Sequence, residues 1–281
     1  MTRQDSNHPF RRSEEDVRTA RHIPVTPQTQ SPAYRLAFDD QDFLTRPELR
    51  PVRLQLELLK PELAMAEREI CSTVVMFGGA RIPAPGEPAR SPGMAAMAAH
   101  YEQARSFAQS ITMASRASGN REFVVCTGGG PGVMEAGNRG AEEAGGISVG
   151  LNIVLPHEQA PNLYVTPELS FNFHYFAIRK MHFLMRARAL AVFPGGFGTL
   201  DELFETLTLV QTRRMRAIPI VLFGRAFWER VVDWSHLVEV GTIAAEDLDL
   251  FRFVDSADQA LEIIADADPE LSDLLIRAAG S

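Results

Sequence analysis

The sequence predicts an α/β protein: a Rossmann-like, doubly wound parallel sheet with an N-terminal helical extension. Three observations predict it. From Cys71 onward, short apolar runs rich in β-branched residues alternate with helical stretches, the pattern of a parallel sheet covered on both faces. Several of these runs end directly in glycine-rich turns, Gly78-Gly79, Gly128-Gly129-Gly130 and Gly195-Gly196. The carboxyl ends of strands are where ligands bind in open α/β sheets. The length, 281 residues, suits one large α/β domain plus an appendage.

In chain order, residues 1–31 are polar, mixed in charge and interrupted by prolines, which predicts a mobile tail. Leu54, Leu58, Leu59, Leu63 and Met65 then recur at helical spacing, with Pro51 and Pro61 as boundaries or kinks. This predicts amphipathic helices docked on the main domain or on a partner subunit, so residues 1–70 are tail and helical extension and 71–281 the main Rossmann-like domain. Thr73–Phe77 is the first strand and Ile82–Pro92 a proline-rich loop. Met94–Ser118 is a long helix closed by Gly119. Phe123–Cys126 is the second strand, followed by a helix over Val133–Ala144 and a strand over Ser148–Ile153. After a polar loop at His157–Pro161 come a short strand within Tyr164–Phe171 and a helix over Phe173–Ala187. Ala189–Phe193, uninterrupted by polar residues, reads as a central strand buried on both faces. A helix from Thr199 to about Arg214, a strand at Ile218–Phe223, a helix at Phe227–Val238, a strand at Phe251–Val254 and a closing helix over Ala257–Ala279 complete the pattern.

The net charge of −8 argues against a nucleic-acid binder, which would carry a basic face. Cys71 and Cys126 have neither zinc spacing nor a disulfide framework, which fits a reducing compartment. No apolar run approaches the ~20 residues that span a bilayer, and no apolar segment follows the N-terminal arginines as in a secretory signal. The expected location is the cytoplasm, without membrane association.

The stretch Ala189–Glu205 organises the rest. Pro194 stops the strand, and Gly195, Gly196 and Gly198 allow a tight turn and close approach of a ligand. Thr199 reads as an N-cap, and Glu202 three residues on completes a capping box. A helix that starts after such a turn offers free N–H groups and a positive dipole end to phosphate. The bland alternatives are that the pair only caps the helix and the glycines only turn the chain. Neither glycine loop fits G-x-G-x-x-G, since Val133 and Asp201 stand at the sixth positions, and no lysine follows as in a Walker A motif. A smaller ligand such as a mononucleotide or sugar phosphate is expected. In the preceding helix Phe173, Phe176, Ala177, Met181, Leu184 and Met185 share one side and should pack inward. Tyr175, Arg179, His182 and Arg186 line another, either a solvated face or, through Arg179 opposite Glu202, half of a catalytic pair.

The runs TGGGPGVMEAGNRGA (Thr127–Ala141) and PGGFGTLDE (Pro194–Glu202), with the Arg179-Lys180 pair, resemble the LOG family of phosphoribohydrolases, often mislabelled lysine decarboxylases. The resemblance covers about Ser72–Asp255, with an extension like that of longer bacterial members. It implies hydrolysis of the N-glycosidic bond of a nucleoside 5′-monophosphate, AMP or a cytokinin ribotide, to free base and ribose 5-phosphate. It also implies catalytic roles for Arg179 and Glu202. Implied substrate contacts are Gly128, Gly129, Gly130 and Glu135 of the first motif, Glu158, Lys180, the turn Gly195, Gly196, Phe197, Gly198, Thr199 and Asp201, and Thr208. It implies a homodimer or a larger homo-oligomer.

A fixed anion near the anomeric carbon lowers the barrier to a ribosyl cation. Glu202, in the first turn of its helix and near Arg179, is expected to be ionised. His182, Asp201 or water are candidates for protonating the leaving base, with a surface position the bland reading of His182. No metal or other cofactor is expected; pyridoxal phosphate needs a lysine, and only Lys60 and Lys180 are present. The competing class is a non-catalytic nucleotide-binding or cofactor-carrier protein on the same fold.

Overall fold

The computed structural model describes residues 10–156 and 160–280. The chain divides into two units, Met1–Leu56 and Glu57–Ser281. Described residues of the first unit form short helices: α1 (Ser13–Ala20), α2 (Gln41–Leu44) and the start of α3 (Arg50–Glu67), joined by 3₁₀ turns. Where the sequence predicts an unstructured tail, α1 forms. Its first turn carries Glu14, Glu15 and Asp16 and its last turn Arg18, charges that complement the helix dipole. α3 runs through both prolines, with Pro61 inside it and buried.

The second unit contains β1 (Thr73–Phe77), α4 (Pro92–Ala96), α5 (Ala98–Ala117), β2 (Val124–Thr127), α6 (Val133–Glu143), β3 (Ser148–Ile153), β4 (Ser170–Phe173) and α7 (Phe176–Met185). It continues with β5 (Ala187–Val192), α8 (Phe197–Gln211), β6 (Ile220–Phe223), α9 (Arg225–Val231), α10 (Trp234–Glu239), β7 (Arg252–Val254), α11 (Ala257–Ala267) and α12 (Pro269–Ala279). The strands form one sheet in the order β4-β3-β2-β1-β5-β6-β7, parallel at every pairing. This is the predicted Rossmann-like fold.

Each inner strand feeds two cores by alternation. Val74, Met76, Ala189 and Ala191 pack with α5, α6, α11 and α12 residues. Val75, Phe77, Leu190 and Val192 pack on the opposite face with Phe183 and Leu203. Three predicted helices are broken in two. α4 ends at Met97 before α5 begins. Asp233 accepts the His236 N–H and starts α10 anew. Asp268 caps α12 with Pro269 at its first position, where the missing N–H ends α11 without cost to α12. The strand expected within Tyr164–Phe171 lies at Ser170–Phe173, and α7 is shorter than predicted because Ala187 already belongs to β5. Cys71 is exposed ahead of β1, whereas Cys126 is buried in β2.

Candidate active site at the switch point of the sheet

Strand order reverses between β1 and β5, so their carboxyl ends border the crevice where open α/β sheets bind ligands. The two ends are tied together. Phe193 N–H donates to Phe77 O at 2.8 Å and Gly79 N–H to Pro194 O at 2.9 Å.

α8 begins at Phe197, with Gly196 as its N-cap and no side-chain cap. This corrects the predicted cap: Thr199 is the third residue of the helix, Glu202 lies in its second turn, and no capping box forms. Thr199 is buried and turned toward Gly195, where a Cβ would collide with its hydroxyl. Gly195 is therefore required for close packing. A Cβ at Gly196 or Gly198 would meet nothing within 4 Å, so the backbone there faces open space. Leu200 N–H bonds back to Gly196 O at 3.0 Å. The N–H groups of Phe197, Gly198 and Thr199 thus precede the intrahelical ladder and point from the positive end of a 15-residue helix, a ready anion site.

α7 is rotated from its predicted orientation. Arg179, His182 and Phe183 are its buried residues, while Phe176, Met181 and Met185 are 53%, 48% and 48% exposed. Of the stripe expected inward, Phe176, Ala177, Met181 and Met185 face outward, whereas Phe173 and Leu184 pack into the core as expected; the solvated-face reading of the polar stripe is corrected at Arg179 and His182. The reason is that the polar side chains find partners inside. Arg179 Nε donates to Leu151 O at 2.6 Å, and its Nη1 lies 3.4 Å from Glu202 Oε1. Its guanidinium sits 4.9 Å from the centre of the Phe183 ring. A Cβ at Gly128 would stand 2.6 Å from Arg179 Nη2 and 2.7 Å from Met134 Sδ, so the glycine there leaves room for the guanidinium.

Glu202 has a side chain only 14% exposed. Burial pushes its carboxyl up to about 7, against the smaller downward pull of Arg179 and with a further upward push from Asp201. The expectation of a readily ionised carboxylate is corrected: desolvation outweighs the guanidinium, and the second-turn position weakens the dipole's contribution, which falls off within the first turn.

Arg179 and Glu202 face a cavity of about 1440 Å³. Of the residues predicted for the site, Gly128, Gly195, Gly196, Phe197, Gly198 and Thr199 line it with them. The others lie elsewhere. Gly129 and Gly130 are buried, with their carbonyls accepting from Asn162 Nδ2 at 3.1 and 2.9 Å. Glu135 accepts from Tyr101 Oη at 2.9 Å. Thr208 Oγ1 donates to Phe204 O at 2.7 Å. Lys180 Nζ pairs with Asp201 and Glu205, each at 3.2 Å; burial lowers its basicity, but the two carboxylates outweigh this and raise it. Glu158 lies outside the described residues. His182 is buried at 3% exposure, not on the surface, and sits between Phe173 and Glu62, away from the cavity lining. Neither His182 nor Asp201 lines the cavity.

Sequence reasoning missed several lining residues: Arg81 after β1, Asn152, Ser170 and Asn172 on β3 and β4, and the apolar Met94, Met97, Phe176 and Phe227. Gly78-Gly79 after β1 signalled the first of these, since it marks one of the two strand ends at the switch point. The asparagines carried no local signal, because their alignment depends on the β3–β4 register. Neither lysine lines the cavity, so the residues do not fit a pyridoxal phosphate bound there as a Schiff base. Among the described residues no three His, Cys, Asp or Glu side chains gather to hold a metal ion. No described helix is long and apolar enough to cross a membrane.

The family model described as "Possible lysine decarboxylase" matches residues 134–264, which contain Arg179, Glu202 and the glycine turn of β5. The match spans less than half of the chain, and over that stretch the chain is similar to the family whose motifs it carries. No curated protein sequence matches it. Among solved structures it is similar to TM1055, a structural-genomics target, at 21% identity and a TM-score of 0.45, over 69% of this chain and 99% of that one. It is also similar to the molybdenum cofactor binding protein of the phototrophic bacterium Rippkaea orientalis, at 16% identity and a TM-score of 0.44, over 69% and 96% of the two chains. The molybdenum cofactor carrier protein of Chlamydomonas reinhardtii matches at 18% identity and a TM-score of 0.42, over 72% and 98%. This similarity is consistent with a nucleotide-related role.

Proposed function

We propose that the protein hydrolyses the N-glycosidic bond of a purine nucleoside 5′-monophosphate, AMP or a cytokinin ribotide, to free base and ribose 5-phosphate. The observation that carries this reading is the buried Arg179–Glu202 pair, 3.4 Å apart, opening into the same cavity as the glycine turn of α8. The 5′-phosphate sits on the N–H groups of Phe197, Gly198 and Thr199. The ribose extends toward Glu202, whose anion faces the positive charge that develops as the bond to the base breaks. Water adds to the anomeric carbon, one of its protons is lost, and the base departs with a proton. In a dry site this electrostatic effect is much stronger than in water. Arg179, held by Leu151 O, orients the carboxylate and keeps its ionised form accessible near neutral pH. The cavity is larger than the ~300–1,000 Å³ of common small-ligand sites, and Met94, Met97 and Phe227 in its wall suit a base with an apolar substituent.

The test is incubation of the protein with a panel of nucleoside monophosphates, with free base and ribose 5-phosphate quantified. Equimolar release of both from AMP or a prenylated ribotide is expected. Bound but intact nucleotide would support a carrier instead.

The protein acts as a homodimer in this reading. Met181 and Met185 on α7 and Phe204 on α8 are exposed apolar side chains on neighbouring elements, a surface suited to a second copy. Met181→Glu should turn a dimer seen by light scattering into a monomer; a monomeric wild type would remove this part of the proposal.

A further inference from the structure

α7 carries Arg179 yet supplies few anchors of its own. One face is solvent-exposed, and its N-cap residue Tyr175 makes no side-chain cap. The anchors come from Glu57–Glu67 at the end of α3, which lies in the second unit and precedes the region matched by the family model. The Glu57 carboxylate accepts the His174 N–H at 2.8 Å and the Tyr175 N–H at 3.1 Å. These amides lie just ahead of the first turn, where a carboxylate is favoured by the helix dipole.

At the other end Glu62 binds Arg186, the C-cap residue, through both guanidinium nitrogens. Nη1 meets Oε1, and Nη2 meets Oε2 at 3.0 Å. This two-point geometry is strong and directional. Arg186 Nε also donates to Ile70 O at 3.3 Å. One turn earlier, His182 Nδ1 lies 3.4 Å from Glu62 Oε1. Met65, 2% exposed, packs into the core that contains Phe183 of α7 and roots this stretch of α3.

We propose that Glu57 and Glu62 are positioning residues, fixing α7 at its two ends and thereby holding Arg179 against Leu151 O and Glu202. Arg179 lies between the two anchors on a 10-residue helix. A helix this short is marginal without tertiary support, so loss of either anchor lets it tilt or fray. The Glu57–Glu67 stretch of α3 is thus part of the active-site scaffold. This inference rests on the reading of Arg179 and Glu202 as the reaction centre.

The test compares Glu57→Ala, Glu57→Gln, Glu62→Ala and the exposed Glu67→Ala in the full chain. Ribose 5-phosphate release from AMP gives kcat and KM, and hydrogen exchange reports on the amides of α7. Misplacing a reacting group by about 1 Å can cost ~100-fold, so Glu57→Ala and Glu62→Ala should lower kcat by roughly 10- to 100-fold with little change in KM. Glu57→Gln keeps an acceptor oxygen and should recover most of kcat, and Glu67→Ala should match wild type. Exchange in α7 should quicken in both alanine variants, with β1, β2 and β5 unchanged. Wild-type kcat in both alanine variants overturns the proposal. So does a loss that Glu57→Gln fails to rescue, or faster exchange across the whole sheet. If the wild type hydrolyses no nucleotide, the functional reading fails separately, and unchanged α7 exchange in the alanine variants then overturns the anchoring itself.

Discussion

Glu202→Gln is expected to lower kcat for nucleotide hydrolysis by roughly 100- to 1,000-fold while leaving KM nearly unchanged, the size of loss seen when one preorganised electrostatic group is removed from a transition state. Glutamine matches the shape of the protonated carboxyl, so the loss reports the charge. A group that acts only when charge develops changes kcat and kcat/KM together. In the wild type, burial places the carboxyl at about 7. The anion is the working form, so kcat/KM should rise with pH and level off above that midpoint, since this parameter follows ionisations of the free enzyme. A rate that instead falls through pH 7 would assign Glu202 as the acid that protonates the leaving base. Undiminished ribose 5-phosphate release from the glutamine variant would remove Glu202 from the mechanism.

The same substitution should stabilise the protein above neutrality. A carboxyl raised from 4.5 to about 7 on folding binds its proton more tightly in the native state. Its contribution to stability is fully present below pH 4.5 and is lost as pH rises through 7. At about 1.4 kcal/mol per pKa unit, the ionised form costs on the order of 3 kcal/mol above that range. Glutamine does not titrate and avoids this cost. Denaturant unfolding of the two proteins should give similar stabilities near pH 4.5, with the variant more stable by an amount approaching ~3 kcal/mol at pH 8. Equal stability at both pH values would show that Glu202 is not desolvated. A gain in stability with a loss of activity is the expected mark of a strained functional group.

Much of this protein is legible in its sequence because the deciding forces are local. Apolar runs such as Thr73–Phe77 and Ala189–Phe193 can be satisfied only between two helical layers. Glycines after strands mark where backbone turns and ligands approach, so the sheet, the turn at Gly195–Gly198 and the residues Arg179 and Glu202 could be named from one dimension. Only the tertiary structure decided which way α7 faces. Periodicity separates its two stripes, but whether the polar one is buried depends on partners far away in the chain: Leu151 O, Glu202 and Glu62 for Arg179, His182 and Arg186. It also decided where α8 begins, because Gly196 caps without a side chain and Thr199 is claimed by packing against Gly195. The charge state of Glu202 belongs to the same class. Sequence neighbours and a helix dipole argued for a ready anion, whereas burial under α7 and the sheet raises its proton affinity, and desolvation is a property of the assembled volume.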